Sequence, residues 1–131
     1  MELEADSDLV PELLEKIPAN KRMISCHGAR CAIASFRSAW QQVSVIPARY
    51  YCVTTTATRS SDGLQPLLFL QDLKRRDVIA ICEGPSGLWG RLLSPYFGAP
   101  LLFGQLDHQS RALGELHIQQ LISDCFIGIA Q

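Results

Sequence analysis

The chain has 131 residues, with 12 lysines and arginines against 13 aspartates and glutamates, and 47% of the residues are hydrophobic. This composition predicts one compact globular domain, and it excludes a disordered chain or a protein that binds nucleic acid through bulk positive charge. The strongly apolar stretches, residues 66–70 and 77–82, are far shorter than the roughly 20 residues that span a bilayer. The N-terminus is acidic, unlike a secretory signal, so we expect a protein without membrane contact in the cytoplasm or, after processing, in a plastid-like interior.

Strand and helix patterns alternate along the chain. Residues 2–5 predict a short strand, and Asp8 precedes a helix over residues 11–16 that Pro18 ends. The remaining predicted elements, in chain order, are a strand at 22–26, a helix at 31–43, a strand at 50–56, a helix at 64–76, a strand at 77–82, a helix at 88–93, a strand at 100–104 and a helix at 114–129.

Five alternating strands and helices predict an α/β fold with a parallel sheet covered on both faces. Five strands are too few for a closed eight-stranded barrel, and no Gly-x-Gly-x-x-Gly motif follows the first strand to indicate a dinucleotide-binding sheet. We therefore predict a single α/β domain over residues 1–131.

The five cysteines are an odd number scattered through apolar segments. This pattern is more typical of reduced thiols than of a disulfide framework. Cys26 and Cys31 flank His27, but no second ligand pair has the spacing of a zinc site. We expect buried thiols and no metal.

Polar residues at the carboxyl ends of parallel strands face the usual ligand site of such folds. His27 follows the second strand and is a candidate acid or base, although a structural histidine fits the sequence equally well. Cys52 lies within the third strand, where a small buried side chain is a more frequent role than a nucleophile. Arg91 follows a glycine-rich loop and could bind a carboxylate, or it could be an ordinary surface arginine.

Four segments of the chain resemble one enzyme family. Residues 23–27, Met-Ile-Ser-Cys-His, are similar to a strand that ends in Ser-x-His, and residues 51–57, Tyr-Cys-Val-Thr-Thr-Thr-Ala, are similar to a Lys-Ile-Ala-Thr-Thr-Ala strand. Residues 87–92 resemble Gly-x-x-Ser-Arg, and residues 97–104 resemble Phe-Gly-Ser-x-x-Thr-Phe-Gly without a gap. These motifs resemble type I 3-dehydroquinate dehydratase, most closely the version fused to shikimate dehydrogenase, and the resemblance runs almost from end to end of the chain.

The resemblance implies a partial (β/α) barrel, the C-terminal portion of an eight-stranded one. It also implies a shikimate-pathway lyase that converts 3-dehydroquinate to 3-dehydroshikimate through an imine, without a metal or cofactor. His27 takes the role of the proton-transfer residue and Arg91 that of the carboxylate anchor.

Three departures from the family pattern bear on activity. Cys52 occupies the position of the imine-forming lysine, and a thiol cannot form a protonated imine. The lid motif Ser-Ala-Pro-Gly-Gln corresponds only to residues 111–115, in which Arg111 and Glu115 are the candidate substrate contacts. The match begins at the fourth strand of the family's barrel, so we expect unpaired sheet edges and an exposed apolar inner face unless another copy or a complementing chain covers them.

These departures predict an impaired lyase. A catalytically silent module that binds the substrate or assembles with a partner is the alternative. A third hypothesis is a thiol enzyme that uses Cys52 with His27 as its base.

Overall fold

A computed structural model of the chain describes residues 2–4, 10–28, 30–104 and 116–124. Within them, four parallel strands form one sheet in the order β1-β2-β3-β4. The strands are β1 (Glu2–Glu4), β2 (Met23–His27), β3 (Tyr50–Thr56) and β4 (Val78–Glu83). The helices are α1 (Val10–Lys16), α2 (Ile33–Val43), α3 (Leu64–Leu73), α4 (Leu88–Leu93) and α5 (Ile118–Asp124). None of the described helices is long and apolar enough to cross a membrane.

The predicted α/β fold and its first four strands are confirmed, but the fifth strand is wrong. Residues 101–104 have no regular secondary structure and no strand partner among the described residues. Leu101 instead packs against Cys52, Ile79 and Ile81. A short apolar run predicts burial more reliably than it predicts strand pairing, because a loop that crosses a sheet buries its leucines equally well.

The outer face of the sheet carries the main hydrophobic core. Alternate residues of β3 and β4, including Val53 and Val78, pack with residues of α2 and α3. Phe36 of α2 and Phe69 of α3 stack with their ring centroids 5.4 Å apart, and both side chains are fully buried. Helices α2 and α3 therefore cover the outer face as one apolar layer.

The inner face of the sheet is buried as well, which corrects the expectation that it lies exposed. Cys52, Ile79 and Ile81 are 4%, 1% and 7% exposed. Met23 and Leu101 pack against this second cluster. The alternation of side chains along β3 and β4 thus separates two buried faces.

A half-buried arginine connects α1 to the rest of the fold. The Arg22 guanidinium donates from Nε to the carbonyl of Ile17 at 2.5 Å, from Nη2 to that of Leu14 at 2.5 Å, and from Nη1 to that of Pro47 at 3.0 Å. The last carbonyls of a helix have no partner within the helix. One side chain therefore satisfies the end of α1 and fixes the loop between α2 and β3.

Two of the cysteines form a disulfide, which corrects the expectation that they are reduced. Cys31, in the loop after β2, is joined to Cys82 of β4, with their Cα atoms 6.2 Å apart. The two residues are 51 positions apart and meet only because β2, β3 and β4 lie side by side. The spacing of these two cysteines in the sequence does not indicate that they are close in the fold. Cys26 and Cys52 are buried thiols.

Candidate functional site

The candidate site begins with the pairing of β2 and β3. The register places Ser25 opposite Cys52 and His27 opposite Thr54. Cys52 belongs to the inner-face cluster, whereas its neighbours Tyr51 and Val53 belong to the outer core. Side chains two residues apart share a face of a strand, so the register assigns Cys52 and His27 to the same inner face, one step apart on neighbouring strands.

Burial dominates the chemistry of Cys52. Desolvation, with smaller contributions from Glu2 and Glu83, raises the pKa of its thiol to about 11. The Thr54 hydroxyl, 3.7 Å from the sulfur, and the charge of Arg91 oppose this shift without reversing it. Because the thiolate is the nucleophilic form of cysteine, Cys52 is a protonated, unreactive thiol at neutral pH. The raised pKa therefore disfavours a thiol enzyme that acts through Cys52.

His27 ends β2 and is exposed. Directly after it, the amide of Gly28 donates to the carbonyl of Thr54 at 2.7 Å. This hydrogen bond continues the β2–β3 pairing past the last residue of the strand, so the backbone holds His27 in place while its imidazole remains accessible from solvent.

Arg91 is buried on α4, where only 4% of the residue is exposed. Its surroundings explain the glycines that precede it. A Cβ atom at Gly87 would overlap the carbonyl of Cys82, and one at Gly90 would overlap the carbonyl of Gly63. Both glycines therefore allow α4 to pack directly against backbone.

Trp89 also fixes this helix. Its indole Nε1 donates to the carbonyl of Ser60 at 2.9 Å, and its ring packs against Gly63. Together these contacts hold α4 against the loop between β3 and α3. They place the Arg91 charge close enough to Cys52 to influence the pKa of the thiol.

Of the five predicted site residues, the strand register assigns Cys52 and His27 to the same face of the sheet, and the charge of Arg91 acts on the Cys52 thiol. Arg111 and Glu115 lie outside the described residues. The sequence analysis missed Thr54 and Glu83, which act on Cys52. The period of two along β3 could have identified Thr54, because it predicts that alternate residues share the face of Cys52.

Comparisons with known proteins identify the family of the chain. The family model described as type I 3-dehydroquinase matches residues 1–124. The chain belongs to the type I 3-dehydroquinase family. Two 3-dehydroquinate dehydratases from different strains of Dehalococcoides mccartyi are related to it: one is 31% identical over 58% of this chain and 35% of its own length, and the other is 25% identical over 93% and 57%.

Solved structures of dehydroquinases share the fold. The 3-dehydroquinate dehydratase of Geobacillus kaustophilus superposes with a TM-score of 0.78 at 18% identity, over 95% of this chain and 51% of that protein. The S. pombe structure of dehydroquinate dehydratase and shikimate dehydrogenase superposes with a TM-score of 0.68 at 20% identity, over 92% of this chain and 24% of that one. The chain thus spans roughly a third to about half of the length of the dehydratases it matches. Its family is that of a lyase.

Proposed function

We propose that this chain is a dehydroquinase-like lyase domain that retains substrate binding but is impaired in imine formation. The observation that carries the proposal is Cys52, a buried thiol with a pKa of about 11, at the position where the family resemblance implies a lysine. An amine condenses with a ketone to give an iminium that withdraws electrons from the neighbouring carbon, whereas a thiol adds to a carbonyl without creating such a cation.

In this proposal the remaining residues keep their implied roles toward 3-dehydroquinate. Arg91 binds the carboxylate, because a planar guanidinium fits a carboxylate with two hydrogen bonds. His27 moves protons, because imidazole titrates near neutral pH. Arg111 and Glu115 contact the substrate hydroxyls as part of the lid. The chain works in the cytoplasm, and a second copy or a complementing chain completes its barrel.

A catalytically silent binding module is the second candidate. The protonation of Cys52 favours it, because the chain then has neither an amine nor a thiolate at the centre of the inner face. The two candidates differ in one measurable property: an impaired lyase still forms some product, whereas a silent module binds substrate without any turnover.

The first test measures turnover and binding on the same preparation. The chain is incubated with 3-dehydroquinate, the absorbance of the conjugated enone product is followed, and borohydride-treated protein is weighed by intact mass spectrometry. We expect little product, no trapped adduct, and substrate binding by calorimetry that falls at least about tenfold in Arg91→Lys, because a single ammonium replaces the two-pronged guanidinium contact.

Arg76→Gln is the matched control, because Arg76 is an exposed arginine outside the site. It should bind the substrate as the unmodified chain does. Rapid product formation would contradict the impaired step, and a trapped adduct would show imine formation at another amine. Binding that is equally strong in Arg91→Lys would remove Arg91 from the site. Neither binding nor turnover by a folded chain would overturn both candidates.

A further inference from the structure

A cavity of about 460 Å³ lies where the loops that follow β2 and β3 meet. Its lining includes Cys31, one half of the disulfide, together with Arg30, Thr58, Arg59 and Asp62. Cys52, His27 and Arg91 are not part of this lining, so the cavity is distinct from the site of the proposed function.

The two sulfurs of the disulfide differ in access. Cys82 is 1% exposed within the outer core, whereas Cys31 is half-buried and forms part of the cavity wall. Exchange of a disulfide requires a thiolate to reach one sulfur while the other sulfur departs. An external thiol can therefore reach Cys31 through the cavity, and Cys82 is the leaving sulfur.

The charges at the cavity favour an anionic ligand. Arg30 and Arg59 are both exposed at its edge. The single carboxylate, Asp62, is engaged by its own loop: its Oδ2 accepts hydrogen bonds from the amides of Thr58 and Arg59 at 2.8 and 2.9 Å, and from the Thr58 hydroxyl at 3.3 Å. The cavity therefore has two positive charges and one carboxylate that is already hydrogen-bonded, and this balance attracts a thiolate that also carries carboxylates.

The leaving sulfur has a hydrogen-bond donor in place. The Thr55 hydroxyl lies 3.2 Å from the Cys82 sulfur. A hydroxyl can donate to a departing thiolate, which stabilises the charge inside an otherwise apolar core. The Asp62 carbonyl, 3.5 Å from the same sulfur, can then accept the hydrogen of the protonated thiol.

We propose that Cys31 is a modification site at which a small anionic thiol exchanges with the Cys31–Cys82 disulfide. The attacking thiolate forms a bond to the Cys31 sulfur, the Cys31–Cys82 bond breaks, and Cys82 leaves as a thiolate that takes a proton from water. The incoming sulfur is oxidised and Cys82 is reduced. A second thiolate then attacks the incoming sulfur and releases Cys31 as a thiol, with the small disulfide as the other product.

The test uses the full chain and two probes of opposite charge, glutathione and cysteamine. Adduct formation is followed by intact mass, and peptide mapping locates the adduct. The rates of glutathione and cysteamine are measured with the protein and with a small uncharged disulfide. The ratio of the two rates with the protein is then divided by the same ratio with the small disulfide, which corrects for the intrinsic difference in reactivity between the two thiols. We expect an adduct on Cys31 and a corrected preference for glutathione that falls about two- to fivefold in Arg30→Gln and again in Arg59→Gln, the change that exposed charge pairs produce.

Arg76→Gln is the control here too, since it removes one exposed positive charge away from the cavity. It should leave the preference unchanged, and added salt should reduce the preference in the unmodified chain. An adduct on Cys82, equal corrected rates for both thiols, an unchanged preference in both arginine variants, or a chain without the disulfide would each overturn the proposal. None of these measurements depends on dehydroquinate chemistry, so the outcome is independent of the proposed lyase function.

Discussion

The two faces of β3 differ in the residues that they carry. The outer face keeps an apolar core in which α2 and α3 interlock through stacked phenylalanines. The inner face keeps its burial and its neighbouring arginine, but holds Cys52 where the family resemblance implies a lysine. In the proposed function, folding and imine chemistry depend on alternate residues of this one strand, so a change that affects one need not disturb the other.

The largest expected effect is on the outer face. Phe36→Ala removes a fully buried ring that stacks on Phe69, and we expect it to lower the free energy of unfolding by about 3–5 kcal/mol, because lost transfer energy and a cavity add together. Urea denaturation measures the change. Val45→Ala, at a position that is 77% exposed, is the control and should stay within about 0.5 kcal/mol of the parent. A similar loss in Cys52→Ala would erase the contrast between the faces.

An intermediate effect is expected where α4 meets the loop before α3. Gly90→Ala places a methyl group against the carbonyl of Gly63, so we expect a loss of about 1–3 kcal/mol from overpacking. The sign of the change in the free energy of unfolding is informative, since alanine in place of glycine at an unobstructed helix position would stabilise the protein by about 1 kcal/mol. Gly28→Ala is the comparison, because the nearest atom to its new methyl belongs to the side chain of Thr55, at 3.1 Å, rather than to backbone. A higher melting temperature for Gly90→Ala would contradict the close packing that positions Arg91.

The smallest expected effect concerns the inner face and pH. Burial raises the pKa of Cys52 from 9.0 to about 11, so above pH 9 the unfolded chain releases the proton while the folded chain keeps it. Stability contributed by the protonated thiol is complete below pH 9 and is lost as the pH rises to about 11, at roughly 1 kcal/mol per pH unit. Denaturation of the parent and of Cys52→Ala at several pH values in this range isolates the contribution of the Cys52 thiol to the free energy of unfolding, because the other titrating groups are common to both proteins. Parallel curves would mean that Cys52 is not desolvated.

Much of the fold could be predicted from local sequence signals. The β-branched and aromatic residues of 50–56 coincide with β3, and helix α4 begins and ends at the predicted residues. The segment 100–104 could not be predicted in the same way, because its leucines are buried by packing over a sheet face rather than by strand pairing. The disulfide was missed for a related reason: Cys31 and Cys82 meet only in the folded sheet.

The candidate site was predictable in part. The resemblance singled out His27, Cys52 and Arg91, and strand alternation explains why Cys52 shares a face with Thr54. The burial of Cys52 was predicted and is confirmed, whereas the size of the rise in its pKa was not, since it depends on how completely the inner face is covered. The role of Arg22 was also hidden, because all three of its acceptors are backbone carbonyls that only the tertiary arrangement brings together.

The order of the strands in the sheet is also their order along the chain. Each of the three later strands can add to the strand that precedes it in the chain, so no strand of the described sheet waits for a distant segment before it pairs. Contacts between elements that are near in sequence form faster than distant ones, because the intervening loop costs less entropy to close. The sheet can therefore assemble one strand–helix unit at a time during translation, with Cys31 already in place when Cys82 emerges and docks beside it.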